Sequence, residues 1–405
     1  MVKLTFYGGV REIGGTKVLL EDDTGKLFLD FGYPYSKYRV FYEEYLKPRP
    51  GAGLLDLLVM GLLPPLEGIY RTDLEVEDLW RQLRQAEHYR KLEDIDGVLL
   101  THAHLDHSGH IAFLREDIPV YATATTAFIA KAVQDSGIAS FDQQVCYFTP
   151  RVEECLQGWK QGAYVASGSG DRQRHFCVAD KLALDEEAEK FWEKSSRQKK
   201  LASQPLDDIA KCSFNVRCFP VDHSIPGACA WGIETSSGWV IYSGDLRLHG
   251  RQGKLTEEFI REAAHLHPRA LILEGTNVDK AANVSEQEVY ENGFKAINGA
   301  PGLVIADFPP RDVNRLLTFL QVARDTKRKL TILPRDAYLL KTMRLLDPAI
   351  PDLTEEDALV IYQETTAARS PATWLRNIYK EYSTKIVLAS DVRANQGDFI
   401  LCFSF

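Results

Sequence analysis

The stretch T-H-A-H-L-D-H-S-G-H, Thr101 to His110, gathers four histidines and an aspartate into ten residues. It follows directly on the apolar run Gly97–Leu100, so a strand is expected to deliver it into a loop. His102 and His104 stand two apart, and at a strand end their side chains can point the same way. Asp106 and His107 follow at the turn into the next element. An imidazole pair suits a borderline ion such as zinc, and an adjacent Asp–His pair offers a second, mixed N/O donor set. The spacing supports two neighbouring divalent metal ions, about 3.5 to 4 Å apart and bridged by a hydroxide. Zinc is the expected ion, with manganese as the alternative.

Two ions need more donors than this segment holds, and the rest should come from strand ends near the same edge. His223 follows the strand-like V-R-C-F-P-V, and Asp245 closes G-W-V-I-Y-S-G-D. Asp245 is the candidate to bridge both ions. His110 is expected to cap the next helix or support the ligands, and His249 to serve loop structure. His88, His175, His265 and His267 are read as structural.

Working outward, the first thirty residues alternate apolar and polar positions in three short runs joined by Gly-rich or Asp/Gly turns, the pattern of an antiparallel sheet. Helical periodicity over residues 76–92 predicts a helix, another is expected from about Ser108, and P-V-Y-A-T reads as a strand. Residues 157 to 211 carry a charged run ending in R-Q-K-K and are expected to form a solvated helix or partly mobile insertion. Strand signals resume from Asn215, with S-S-G as a hairpin turn. After Asn277, apolar strands alternate with helices, which predicts parallel β/α units and a second domain. The expected division is 1–277, including the insertion, and 278–405.

The chain has 405 residues, 45% hydrophobic and 26% charged, and no run long and apolar enough to cross a bilayer. Its start lacks the n-region and h-region of a signal peptide. Seven scattered cysteines without a CxxC pair read as reduced thiols, so a cytoplasmic protein is expected. A net charge of −9 excludes holding a polyanion by bulk positive field.

T-H-A-H-L-D-H resembles the HxHxDH signature of the metallo-β-lactamase fold superfamily, and His223 and Asp245 stand where its next two ligand motifs fall. L-F-L-D-F-G is similar to that fold's strand-end aspartate motif, which implies that Asp30 orients ligands. L-I-L-E-G-T-N, with Glu274 at a strand end and α/β units behind it, resembles the β-CASP group: ribonuclease J, the mRNA cleavage and polyadenylation endonucleases, and the Artemis-type DNA nucleases. T-H-A-H-L-D-H-S-G-H and V-D-H-S-I-P-G-A are nearer to the first two branches. The resemblance implies an α/β fold, a metallo-β-lactamase αββα sandwich plus a β-CASP-type parallel domain. It implies a metal-dependent ribonuclease hydrolysing single-stranded RNA, in RNA processing or decay, through a hydroxide bound by two metals. The metals would be held by His102, His104, Asp106, His107, His223 and Asp245; Asp106 would also orient the nucleophile, and Glu274 would position a downstream histidine.

In that group two functional histidines follow the inserted domain, yet none occurs after His267, and the chain stops on D-F-I-L-C-F-S-F. A fragment lacking the C-terminal part is therefore expected, with a weaker second metal and impaired cleavage. Single-stranded RNA is the expected partner, and a homodimer is open. Arg247 and Arg251 are read as surface arginines, with phosphate contact as the alternative. The rival functions are a hydrolase of a small substrate and a non-catalytic RNA-binding scaffold.

Overall fold

The structure is a computed structural model describing residues 1–42, 46–137, 140–154, 163–168, 170–180, 184–196, 200–276, 278–279, 284–309, 311–364 and 371–402. Strands β1 (Lys3–Gly8), β2 (Lys17–Asp22) and β3 (Gly25–Leu29) pair antiparallel. Their alternation sorts side chains by face: Val18, Leu20, Leu27 and Leu29 turn one way, Leu19 and Phe28 the other. Four strands extend the sheet in parallel, namely β4 (Gly97–Leu99), β5 (Val120–Ala122), β6 (Phe176–Val178) and β7 (Asp207–Asp208). A second sheet consists of β8 (Val216–Pro220), β9 (Cys229–Thr235), β10 (Gly238–Tyr242) and β11 (Ala270–Ile272), with the expected hairpin between β9 and β10.

The two sheets close on one apolar layer in which Val18, Leu29, Leu99 and Tyr121 meet Cys229, Trp231, Ile233 and Tyr242. Helix α1 (Ala124–Ser136) covers the outer face of the first sheet through Ala127 and Phe128. Helix α2 (Gly253–His265) covers the second, setting Phe259 and Ala263 against Phe219 and Ile241. The layers therefore run helix, sheet, sheet, helix.

The remaining part is a five-stranded, wholly parallel sheet of β12 (Val304–Ala306), β13 (Lys329–Ile332), β14 (Leu359–Tyr362), β15 (Ile386–Val387) and β16 (Phe399–Cys402), in the order β12-β16-β13-β14-β15. Helices α3 (Glu286–Asn298), α4 (Val313–Asp325), α5 (Pro334–Arg344) and α6 (Thr373–Glu381) alternate with these strands, as the sequence rhythm predicts. Two polar links tie this part to the sandwich. Asn314 Nδ2 donates to the His223 carbonyl at 3.0 Å, and the Tyr338 hydroxyl to Asp135 at 3.2 Å.

Three expectations change. Of the helix predicted over 76–92, only Leu79–Leu83 forms. His88 takes left-handed backbone, and Arg90–Lys91 pair as a strand with Leu66–Glu67, a tertiary pairing that outweighs helical propensity. The helix expected from Ser108 begins earlier, as Leu105–Ser108, and tightens into a 3-10 turn over Gly109–Phe113. The stretch from 157 to 211 contributes β6 and β7 to the first sheet, and its helix Glu186–Trp192 buries Ala188 and Trp192. Residues 197–199 of its basic end, like 157–162 and 181–183, lie outside the described residues. Among the described residues no helix is long and apolar enough to cross a membrane, and six cysteines are unpaired.

Candidate metal centre

Apart from Asp106 and His107, which lie in the short helix Leu105–Ser108, the residues the sequence points to follow the C-terminal end of a strand. Asp30 follows β3, His102 and His104 follow β4, His223 follows β8, Asp245 follows β10 and Glu274 follows β11. That edge of an α/β sheet is where ligand crevices form.

Two donor groups result, each with its ligand atoms within 4.8 Å of one another: His102, His104 and His223, and His102, His107 and Asp245. His104 Nδ1 faces His223 Nε2 at 3.1 Å. Asp245 reaches both groups, with Oδ1 3.2 Å from His107 Nε2 and Oδ2 3.8 Å from His223 Nε2. His102 Nε2 is buried without a hydrogen-bond partner among the described residues. An orphaned imidazole nitrogen at the junction of two donor groups is what a coordinated cation would satisfy, so these residues fit one. Asp106 stands beside the groups rather than within them, its carboxylate 3.9 Å from His107 Nε2.

Backbone geometry sets Asp106 and Asp245. The Asp106 carbonyl accepts from Gly15 and Thr16 at 3.1 and 3.2 Å, while a Cβ on Gly32 would lie 1.5 Å from that oxygen. Only glycine permits this approach. Gly244, at φ +55 and packed on the Thr101 side chain, makes the same allowance before Asp245.

Asp30 organises the floor. Fully buried and itself in left-handed backbone, it accepts from the Thr101 amide and hydroxyl at 2.8 Å each and from the Tyr242 hydroxyl at 2.5 Å. His107 Nδ1 lies 2.6 Å from the same carboxylate. With Nδ1 donating there, His107 turns Nε2 toward Asp245, the carboxylate–histidine arrangement that fixes a ligand's tautomer and aim.

The two donor groups differ in charge. Burial drives His102 and His104 well below the ordinary imidazole value, helped by neighbouring imidazoles, and lowers His223 to about 4. These rings stay neutral, each keeping one lone pair that a cation could take. For His107 burial acts the same way, but the Asp245 and Asp30 carboxylates outweigh it and raise the value. Burial pushes Asp245 up, and the His107 charge more than reverses this, leaving about 2. Burial raises Asp106 above the usual carboxylate range.

Other expectations resolve as follows. Glu274 accepts from the Leu246 amide at 3.1 Å while its own amide donates to Ser243, so it braces the turn carrying Asp245. Together with His223, Asp245 and His249 it lines a groove of about 650 Å³. Among the described residues His110 neither caps nor supports a ligand: its ring packs among Tyr33, Tyr38 and Phe113, and neither nitrogen finds a partner there. Arg247 lies 3.4 Å from the buried Asp222, and Arg251 is exposed. Sequence reasoning missed Thr101, Tyr242 and Arg311. The first two adjoin recognised motifs, whereas Arg311 has no local signal.

A beta-lactamase superfamily domain matches residues 73–157 of this chain. Fold and donor set thus define a chain that carries a metallo-β-lactamase superfamily domain. Over most of its length it is similar to ribonuclease J. The Mycolicibacterium smegmatis protein is 23% identical, over 96% of this chain and 57% of its own. The Mycobacterium tuberculosis protein is also 23% identical, over 85% and 46%, and that of Helicobacter pylori 19%, over 82% and 36%. The chain spans about half the length of the curated relatives it matches. A crystal structure of a protein of unknown function from Enterococcus faecalis V583 shares the fold, with a TM-score of 0.60 over 99% of this chain and 77% of that one at 18% identity.

Proposed function

We propose that the chain is the catalytic part of a metal-dependent ribonuclease that hydrolyses phosphodiester bonds of single-stranded RNA, in RNA processing or decay. The observation that carries this reading is Asp245, whose two carboxylate oxygens face His107 and His223 in separate donor groups. Ribonuclease J is the name its relatives bear, and the parallel sheet beside the sandwich is read as a β-CASP-type domain over 278–405.

His102, His104 and His223 would hold one divalent ion, and His107 and Asp245, with Asp106 beside them, a second; zinc suits these donors and manganese is the alternative. Bound there, such ions would supply Lewis acidity and a nucleophile usable at neutral pH. The chain's own residues do the rest. Asp30 holds His107, Asp106 orients the attacking water, and Glu274 keeps the Asp245 turn in position. The groove beside Asp245 would take a single strand. The unpaired cysteines accord with a cytoplasmic setting.

The test is incubation of the metal-loaded chain with end-labelled single-stranded RNA, the matched duplex and single-stranded DNA. Cleavage of single-stranded RNA to 5′-phosphate products, abolished by chelation and by Asp245→Asn, is expected. A chain carrying its ions that leaves RNA intact but turns over a thioester or lactone would transfer the site to small-substrate hydrolysis.

A further inference from the structure

One half-buried cation stands beside the ligand loop without a role in the account above. Arg311 immediately precedes Asp312, the N-cap of α4, and holds left-handed backbone at φ +72. L side chains avoid that conformation, and where it persists at a site it commonly serves the site. Arg311 approaches the ligand loop from the parallel-sheet part. It lines a cavity of about 300 Å³ together with Ala103, Leu105 and Ser108, residues that alternate with the ligand-bearing positions 102, 104 and 107. Arg335 and Asp336, from the first turn of α5, line the same cavity, and the Asp336 carboxylate there accepts from the Leu333 amide at 3.1 Å.

Among the described residues the Arg311 side chain makes no hydrogen bond or ion pair. Its charge is nevertheless felt by the site: it lowers His104, while Asp106 and Tyr35 help sustain it against burial. A guanidinium stays charged in proteins, and burying one without a matched acceptor is costly. Asp106 offsets it only in part, because Asp106 also faces His107. A planar fork of donors left open toward a cavity fits an oxyanion, and phosphate above all.

We propose that Arg311 binds a non-bridging oxygen of the RNA phosphate on the Asp106 side of the metal centre. The proposal deepens the nuclease reading and rests on it for the identity of the phosphate. It makes the parallel-sheet part a contributor of a binding group rather than a lid, and it gives the acidic chain a local positive point where bulk charge offers none.

The experiment titrates inorganic phosphate into the zinc-loaded chain by calorimetry, for the parent, Arg311→Ala and Arg311→Lys, with zinc content and thermal melting measured on each. Arg311→Ala is expected to weaken phosphate binding roughly ten- to a hundredfold with zinc content unchanged. Arg311→Lys should fall between, keeping the charge but not the fork. If Arg311→Ala does not fold, the lysine variant carries the test alone. Phosphate affinity equal to the parent's in the folded variants, or no phosphate binding by the parent, overturns the proposal. RNA cleavage on the same preparations separates the two readings. Arg311-dependent phosphate binding in a chain that cleaves no RNA upholds the anion site and removes the nuclease. Cleavage that persists with phosphate affinity indifferent to Arg311 removes only this inference.

Discussion

The sandwich and the parallel-sheet part bury different kinds of side chain. In the sandwich, charged or ionisable groups such as Lys17, Asp30, His102, His107, Lys131 and Arg174 lie inside. The parallel sheet is filled by Leu330, Ile332, Leu340, Ile361 and Ile400, and its buried Asn314 bonds the His223 carbonyl where it meets the centre. Buried polar groups cost stability unless fully paired, whereas apolar burial supplies it. The contrast teaches that one part of the molecule gives up stability to aim side chains, while the other mostly holds shape, its buried Glu286 and Arg328 being paired within it. A single apolar cluster runs through both, so the aiming part can lean on the holding part.

Substitutions should split along the same line. The largest effect is expected from His102→Ala, because His102 belongs to both donor groups. Metal content should fall in both sites and RNA cleavage by roughly 10³-fold or more, since losing a single preorganised catalytic group already costs about 10²- to 10³-fold. Elemental analysis and single-turnover cleavage read this, and the melting temperature of the metal-stripped chain should not fall. Leu340→Ala inverts the pattern: a loss of about 2 to 5 kcal/mol in urea unfolding, with metal stoichiometry retained by the folded fraction. Equal stability for this variant and the parent would erase the contrast.

Asp30→Asn is the next step down. It leaves the packing but weakens the hold on His107, and metal affinity should drop about 10- to 100-fold, measured by competition with a chromophoric chelator. An unchanged affinity would mean that Asp30 serves only the backbone of Thr101.

The mildest effect concerns Lys17, whose ammonium reaches the Gly15 and Gly32 carbonyls at 3.3 and 2.5 Å beneath the Asp106 loop. Burial lowers it from 10.5 to about 7, with Glu12 opposing. Between those values the unfolded chain binds a proton that the folded chain lacks, so stability should rise with pH from about 7 toward 10. Lys17→Met should flatten that rise. Parallel pH profiles for the two chains would show that the folded lysine keeps its proton.

Much of this was legible locally. The period-two pattern of Val18 to Leu29 and the apolar runs of β13, β14 and β16 mark strands because burial of one or both faces is written into consecutive residues. The failed helix over 76–92 shows the limit: its periodicity is present, but pairing with Leu66–Glu67 decides the backbone. Burial inside the 157–211 stretch was equally hidden, since a charged average conceals the few residues, Phe176 and Trp192 among them, that reach the core.

Taken alone, the sequence determined the donor chemistry and its strand-end setting, because ligand type and spacing along one strand are local properties. Only the tertiary structure decided that Asp245 faces both donor groups, that Tyr242 meets Asp30 across 212 positions, and that Arg311 stands at the ligand loop. Those relations exist only after two sheets close on a common layer and a third packs against their edge, and such closure is set by the summed burial of distant residues.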